Sequence, residues 1–150
     1  MRLLRFTRND ERVCMDLLVH TSTATGYIGL ADRERVVAQE EFPVGRDLAA
    51  TLSERIKKFL EAKRTTREAI QKVVVHTGPG SFTGIRLGVT TANAFGYARG
   101  IPVVGVSGPV GTPEELFERS RGIPAEGTIA VPTYGQDPRL GPIPSPPLSA

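Results

Sequence analysis

The chain contains no tryptophan, a single cysteine and two histidines among its 150 residues. Because Cys14 is alone, no internal disulfide can form, and a reducing cytoplasm is the compartment we expect. Aromatic residues make up only 6% of the chain, so we do not expect a base-stacking platform for nucleic acid. No apolar run approaches the ~20 residues that span a bilayer, and we expect no membrane association. The net charge of +3 comes without a dense Lys/Arg block and indicates an ordinary solvated surface.

The two ends of the chain differ in composition from its middle. Residues 1–14 are polar and basic without periodicity, and we predict a flexible N-terminal extension; an ordered extra strand in the same stretch is the alternative. Residues 123–150 contain seven of the twelve prolines, which predicts an extended and partly disordered tail. The remaining residues, 15–122, are numerous enough for one domain with its own core.

The apolar pattern of the middle region predicts strands and helices in a definite order. Three short β-rich runs at 16–21, 26–31 and 35–42 are separated by short breaks, which favours antiparallel hairpins. The later elements are a helix over 47–62, a strand at 72–76 that is apolar on both faces, a helix over 84–99, a strand at 101–107 and a short helix over 112–119. This order predicts an α/β fold with a mixed five-stranded sheet, three antiparallel strands followed by parallel strands, and helices on both faces. It is the order of the ribonuclease-H-like core, which also forms a lobe of the actin-like ATPases.

The turn before the long helix reads GPGSFTG. Glycines next to a helix N-terminus favour phosphate binding, but the turn lacks the lysine of a P-loop and the glycine spacing of a dinucleotide fingerprint. The alternative is a structural turn in which Gly78 and Gly80 adopt positive φ and Pro79 adds stiffness. In that turn Ser81 or Thr83 caps the helix. We favour the structural turn as the element that positions the helix, and nucleotide binding stays open.

The sequence offers no obvious catalytic set. No spacing connects Ser81 to a histidine that would act as its base. His20 stands at the end of the first predicted strand, where a metal-dependent nuclease of this fold needs a carboxylate, and Asp16 lies at the opposite end of that strand. His20 and His76 are far apart in the sequence, and we expect neither a zinc site nor catalytic residues.

The helix over 84–99 has more apolar surface than one sheet can cover. At 100° per residue, its polar side chains form only a narrow strip. Gly84 and Gly88 leave one edge of the helix without bulk, although each interior glycine costs about 1 kcal/mol relative to alanine. The bare edge predicts close packing of another helix, from the same chain or from another subunit. We predict a partner interface formed by Gly84, Ile85, Gly88, Val89, Ala92, Phe95 and Arg99.

Two segments together resemble the TsaB (YeaZ) proteins, which are bacterial subunits of the machinery that makes threonylcarbamoyladenosine in tRNA. They are LLVHTSTATGYIGLA and VVVHTGPGSFTGIRLGVTTANAFGYARGIPVVGVS. The I-D-T-S motif of that family corresponds to Val19–Ser22, and its G-P-G-S-F-T-G-L-R-I-G motif corresponds to Gly78–Gly88. The resemblance extends from Met15 to Gly108.

The resemblance implies an actin-like ATPase-type fold in two lobes, without catalysis of its own. It implies pairing through N-lobe helices with the related catalytic subunit TsaD, which transfers the threonylcarbamoyl group to adenosine. A small ATPase, TsaE, would join the pair, and tRNA would be contacted only indirectly. The pairing helix corresponds to Thr83–Arg99, and because family members self-associate through the same surface, we expect a homodimer in isolation.

Three departures from the family pattern bear on function. His20 replaces the usual aspartate, which weakens any remnant cation or nucleotide site on the first strand. The His-Ser pair that usually opens the first helix is absent, and residues 45–47 stand there as Gly-Arg-Asp. Most of the second lobe is missing, and only residues 131–138 are similar to the end of the family sequence.

We therefore predict a shortened TsaB homologue that acts as a non-catalytic scaffold and pairs through its long helix with a TsaD-like protein. The first alternative is a nucleotide-binding enzyme or ATP sensor of the actin-like ATPase group, with nucleotide at the Gly-Pro-Gly turn; ATP at the partner interface is the one cofactor that we consider. Its nucleotide contacts would be Thr21, Ser22 and Gly80. The second alternative is a self-associating protein with no role in tRNA modification. We expect no metal, and no cofactor other than ATP in the first alternative.

Overall fold

The computed structural model describes residues 14–125 and 129–132 of the chain. In order, its elements are β1 Met15–His20, β2 Thr25–Ala31, β3 Val36–Pro43, α1 Leu48–Ala62, a short 3-10 helix Arg67–Ala69, β4 Ile70–Gly78, α2 Phe82–Arg99, β5 Val103–Ser107 and α3 Pro113–Ser120. The predicted N-terminal extension over 1–14 and the predicted tail over 123–150 lie almost entirely outside the described residues, so these domain boundaries stay predictions. None of the described helices is long and apolar enough to cross a bilayer.

The strands form one five-stranded sheet in the order β3-β2-β1-β4-β5. β2 pairs antiparallel with both β1 and β3, whereas β4 pairs parallel with both β1 and β5. The predicted mixed sheet is therefore confirmed. Val73, Val74 and Val75 of β4 are fully buried, as expected for a central strand with helices over both faces.

Helices cover the sheet on both sides, as predicted. Side chains of β1 and β4 alternate between two apolar cores because successive residues of a strand point to opposite faces. Leu17 and Val73 belong to the larger core, beneath α1 and α2. Leu18 and Val74 belong to the smaller core, which Leu116 and other residues of α3 complete. Apolar area is therefore buried on both faces, and most of it lies under α1 and α2.

Capping residues define both ends of α2 and the start of α3. The hydroxyl oxygen of Ser81 accepts a hydrogen bond from the Gly84 N–H at 3.3 Å, so that Ser81, one of the two predicted residues, caps α2. Gly100 ends α2 in the left-handed conformation at φ 67°. The hydroxyl of Thr112 caps α3 by accepting from the Glu115 N–H at 3.2 Å. At α1, Asp47 occupies the N-cap position but its side chain makes no capping hydrogen bond.

The bare edge of α2 lies against the end of β1. A Cβ atom on Gly84 would overlap the carbonyl oxygen of Thr21, and a Cβ atom on Gly88 would overlap the Thr21 hydroxyl oxygen. The same hydroxyl donates a hydrogen bond to the Gly84 carbonyl oxygen at 2.6 Å. Thr21 therefore occupies a notch between Gly84 and Gly88, and this notch explains two glycines inside a helix.

We predict that Gly84→Ala destabilises the fold although alanine is the better helix former. The added methyl group meets a backbone oxygen that cannot rotate away, and we expect a loss of about 1–3 kcal/mol in the free energy of unfolding. Gly88→Ala should cost less, because the Thr21 hydroxyl that it meets can rotate at the loss of one hydrogen bond. Urea denaturation followed by circular dichroism measures both effects.

Gly122→Ala is the matched control, since a Cβ atom there meets nothing within 4 Å. A Gly84→Ala protein as stable as the parent, or more stable, would contradict the notch.

Candidate functional site

Three strand ends meet at one edge of the sheet. β1, β4 and β5 are parallel, so their carboxyl ends lie side by side, which is the edge where open α/β sheets usually bind ligands. The GPGSFTG turn follows β4 at this edge, with a cis peptide bond between Gly78 and Pro79. Gly78 and Gly80 both have positive φ, at 128° and 158°, as the structural turn requires. The Ser81 N–H donates to the Ser22 carbonyl oxygen at 2.7 Å, which joins this turn to the segment after β1.

The structure brings together the residues predicted to contact a nucleotide, but their polar groups already have partners within the chain. Thr21 and Ser22 are each 1% exposed. The Thr21 hydroxyl bonds to Gly84 in the notch. A Cβ atom on Gly80 would overlap the Ser22 backbone, so the turn lies directly on Ser22. In this conformation the three residues form an internal contact between two loops.

A buried serine–histidine pair lies beside this contact. The His76 Nε2–H donates to the Gly108 carbonyl oxygen at 2.7 Å, since a carbonyl oxygen can only accept. Nδ1 is therefore the unprotonated nitrogen, and it accepts the hydroxyl of Ser22 at 2.7 Å. A serine bonded to an oriented imidazole is the geometry of an activated nucleophile, but burial leaves no path for a substrate to the Ser22 hydroxyl. The pair instead connects the end of β4 with the segments that follow β1 and β5.

His20 is the middle ring in a stack of three, between His76 and Tyr27. Its ring centroid is 4.4 Å from that of His76, with 9° between the planes, and 4.8 Å from that of Tyr27. Among the described residues neither ring nitrogen of His20 makes a hydrogen bond of good geometry, although the side chain is 2% exposed and the Val110 backbone is near enough to raise its pKa in part. Burial, reinforced by the neighbouring His76, lowers the pKa of His20 to about 4. Burial also lowers the pKa of His76, against the opposing effect of its hydrogen bond to Gly108.

The two histidines, far apart in the sequence, are neighbours in the fold, and the sequence contains a signal for this contact. The sequence Val-His-Thr occurs at residues 19–21 and 75–77, which lie at the carboxyl ends of β1 and β4. The parallel register pairs Val19 with Val75, which places His20 beside His76 on the same face. A shared ending on two strands predicted to be neighbours is the observation that would have revealed the pair.

Most of the predicted partner-interface residues lie in the core of the chain itself. Gly84, Ile85, Gly88, Val89 and Ala92 are buried against the sheet. The close approach that the glycines allow is to the end of β1, and not to another helix. These five residues therefore cannot contact a partner, and an interface on α2 must use other side chains of the helix.

Phe95 and Arg99, the other two predicted interface residues, lie at the surface of α2 in different settings. Phe95 is half-buried and packs on the larger core from the side that faces α1. The Arg99 guanidinium donates to the carbonyl oxygens of Arg67 and Glu68 at 3.0 and 3.2 Å. Arg99 therefore holds the 3-10 helix after α1 against the end of α2, so the carboxyl ends of α1 and α2 lie together.

An open groove runs between α1 and α2. It has a volume of about 220 Å³, and its lining residues are Ser53, Ile56, Lys57, Leu60, Arg67, Thr91, Ala94, Phe95 and Ala98. Ala94 and Ala98 are exposed, and their small side chains leave the α2 side of the groove open. The apolar excess of α2 that the sequence indicates is found here. We name this surface the α1/α2 groove.

The polar strip of α2 has a different neighbour. Asn93 forms two hydrogen bonds with the backbone of Ala130: its amide nitrogen donates to the carbonyl oxygen at 2.8 Å, and its amide oxygen accepts from the N–H at 2.9 Å. Residues 129–132 therefore lie over the middle of this strip. Tyr97 of the same strip is 92% exposed, and the α1/α2 groove is lined by other side chains of α2.

The chain is similar in sequence to proteins of threonylcarbamoyladenosine biosynthesis. The family model described as TsaD, tRNA N6-adenosine threonylcarbamoyltransferase, matches residues 43–112. The tRNA threonylcarbamoyladenosine biosynthesis protein TsaB of Bacillus subtilis is 30% identical over 91 residues, which are 61% of this chain and 40% of that protein. An uncharacterized protein of Mycobacterium tuberculosis is 38% identical over 92 residues, or 60% of this chain and 44% of that protein.

A solved structure shows the same fold. YeaZ from Pseudomonas aeruginosa superimposes with a TM-score of 0.57 at 24% identity, covering 63% of this chain and 44% of that one. The chain spans less than half the length of these relatives. The resemblance drawn from the sequence is confirmed.

We predict that the buried histidines make the fold less stable in acid. The unfolded chain binds a proton at each histidine below about pH 6.5, whereas folded His20 stays neutral down to about pH 4. The free energy of unfolding should therefore fall as pH falls through this window, by about 2 kcal/mol for His20 between pH 7.5 and pH 5. His20→Phe preserves the ring stack without the titration, so its urea denaturation should depend less on pH.

The free energy of unfolding of His20→Phe should still depend on pH to some extent, because His76 and the carboxylates titrate in both proteins. Equal pH dependence of the parent and of His20→Phe would contradict the prediction.

Proposed function

Because this chain is a homologue of the TsaB (YeaZ) proteins, we propose that it is a non-catalytic scaffold subunit in tRNA N6-threonylcarbamoyladenosine modification. In this role it pairs through the α1/α2 groove with a TsaD-like catalytic protein, which a TsaE-like ATPase joins. The observation that supports the proposal is the open apolar groove on α2, the helix that corresponds to the family's pairing helix.

The groove has the features of a helix-binding surface. Ala94 and Ala98 are exposed and Phe95 is half-buried, so these three residues provide the accessible apolar area, above a buried floor that includes Ile56 and Leu60. The small side chains of Ala94 and Ala98 allow a second helix to approach closely. An amphipathic helix that lies in such a groove is a common mode of protein recognition. The notch fixes α2 on the sheet, so the groove is held in place before a partner binds.

The nucleotide alternative has weaker support, because Thr21, Ser22 and Gly80 are engaged with one another and with α2. A nucleotide at this edge would have to separate the two loops and break the Ser22–His76 bond. We therefore expect no binding heat when ATP with Mg²⁺ is titrated into the isolated protein in a calorimeter. Saturable ATP binding that Ser22→Ala weakens would favour the nucleotide-binding alternative.

A homodimer through the same groove is the other alternative. Self-association and pairing with a TsaD-like protein would then exclude each other, because both would use the same surface. Light scattering of the isolated protein, with and without the TsaD-like protein of the same genome, separates the two. A homodimer that persists in the presence of that protein would favour the alternative.

We predict that Ala94→Gln combined with Ala98→Gln blocks pairing and leaves the fold intact. Glutamine fills the groove without adding charge, and removing a close helix contact costs about 1–3 kcal/mol, so we expect at least tenfold weaker binding. The measurement is the dissociation constant for the TsaD-like protein of the same genome, obtained by calorimetry.

Thr90→Gln serves as the control, because Thr90 is exposed on the same helix but does not line the groove. Circular dichroism confirms that the variants are folded. Undiminished binding by a folded double variant would show that the groove is not the interface.

A further inference from the structure

The α1/α2 groove is not uniform along its length. A second cavity of about 480 Å³ continues from it past the carboxyl end of α1, and the two cavities share Lys57, Leu60 and Arg67. Arg64 also lines this second cavity. The groove therefore changes from apolar in its middle to basic at the end where α1 and α2 finish. We name this part the basic end.

The cations of the basic end have no ion-pair partners within the structure. Over residues 14–125 and 129–132, the ion pairs are Lys72–Asp16 and Arg121–Glu118, and neither involves the basic end. Glu61 is the carboxylate that lines the cavity, against the three cations Lys57, Arg64 and Arg67. The basic end thus has an excess of positive charge next to an apolar surface.

The helix dipole does not account for this placement. Cations stabilise a helix when they lie in its last turn, and the effect falls off beyond that turn. The last turn of α1 contains no basic residue, because Lys57 precedes it and Arg64 and Arg67 follow the helix. Stabilisation of α1 by its dipole therefore does not explain the position of these exposed cations.

We propose that the groove receives a helix of the partner protein with an apolar face and carboxylate side chains at one end, which meet the basic end. The proposal rests on the proposed function and adds the charge of the partner and the direction in which its helix lies. Apolar contacts with Ala94, Phe95 and Ala98 would provide affinity. Opposite charges at one end fix the register of an interface and exclude partners that lack them.

A second copy of the chain fits this surface less well. A two-fold interface brings the same patch of each subunit together. The groove and its basic end are lined by the three cations Lys57, Arg64 and Arg67 and by one carboxylate, Glu61, so a second copy would place more cations than carboxylates opposite these cations. Nucleic acid fits less well too, because phosphates would pair with the basic end and leave the apolar middle uncovered.

The test reverses the charge of the basic end in the full chain. We expect Lys57→Glu combined with Arg67→Glu to weaken binding of the TsaD-like protein about tenfold or more in 50 mM salt, because two attractive contacts become repulsive. In 500 mM salt the parent should bind more weakly and the gap between the two proteins should narrow. Self-association of the isolated chain should stay unchanged or increase.

Lys58→Glu combined with Lys63→Glu is the matched control. It makes the same change of charge on the same part of the chain, but Lys58 and Lys63 line a separate cavity between α1 and β3. This control should bind the partner like the parent. Circular dichroism and urea denaturation verify that both double variants are folded.

The outcomes distinguish the proposal from the function on which it rests. If the glutamine variant of Ala94 and Ala98 fails to weaken pairing, the proposed function itself falls. If that variant weakens pairing but the reversed basic end binds like its control, the groove stays the interface and the acidic partner helix is overturned. Labelled tRNA that binds the parent, and loses binding when the basic end is reversed, would assign the cations to nucleic acid and also overturn it.

Discussion

Thr21 lies where β1 ends, and its side chain occupies the notch between Gly84 and Gly88 of α2. Much of the functional geometry depends on this contact. The contact brings the backbone of α2 close to the backbone at the end of β1. The helix therefore cannot rotate about its own axis without a steric clash. Its fixed orientation decides which side chains of α2 are buried and which line the groove with α1. A larger residue at Gly84 would move the helix and the groove together.

With the rotation fixed, each side of α2 has a separate role. One side packs on the sheet, and Asn93 on the polar strip holds residues 129–132. The side that faces α1 is apolar and only partly covered. The helix is therefore apolar for two reasons: one surface is buried inside the chain, and we propose that a partner covers the other. Arg99 supports the arrangement by tying the ends of the two helices together.

Local patterns were sufficient to predict the elements of this fold. The spacing of apolar residues indicated the order of strands and helices, three buried valines indicated that β4 is central, and Ser81 and Gly100 marked the ends of α2. Each of these signals lies within a few residues of the element that it predicts. The α/β architecture could therefore be predicted before any contact between distant residues was known.

The functional site was harder to predict because it depends on contacts between distant residues. The helical wheel showed that the edge at Gly84 and Gly88 lacks bulk, but not that Thr21, more than sixty residues earlier, would fill it. The pairing of His20 with His76 likewise depends on strand register, which the sequence shows only through the repeated Val-His-Thr. Both contacts join motifs that are separate in the sequence and become neighbours only in the folded sheet.

The edge with the three strand ends and the α1/α2 groove differ in charge and in accessibility. At the edge, His20 stands where the family usually has an aspartate, and burial keeps it neutral and stacked between two rings. A neutral stack supplies no charge for a cation or a nucleotide phosphate, and the Ser22–His76 bond closes the adjacent loops. The groove, in contrast, keeps apolar side chains and unpaired cations accessible. Because unsatisfied apolar area and charge are what a partner can stabilise, recognition is better assigned to the helices than to the edge.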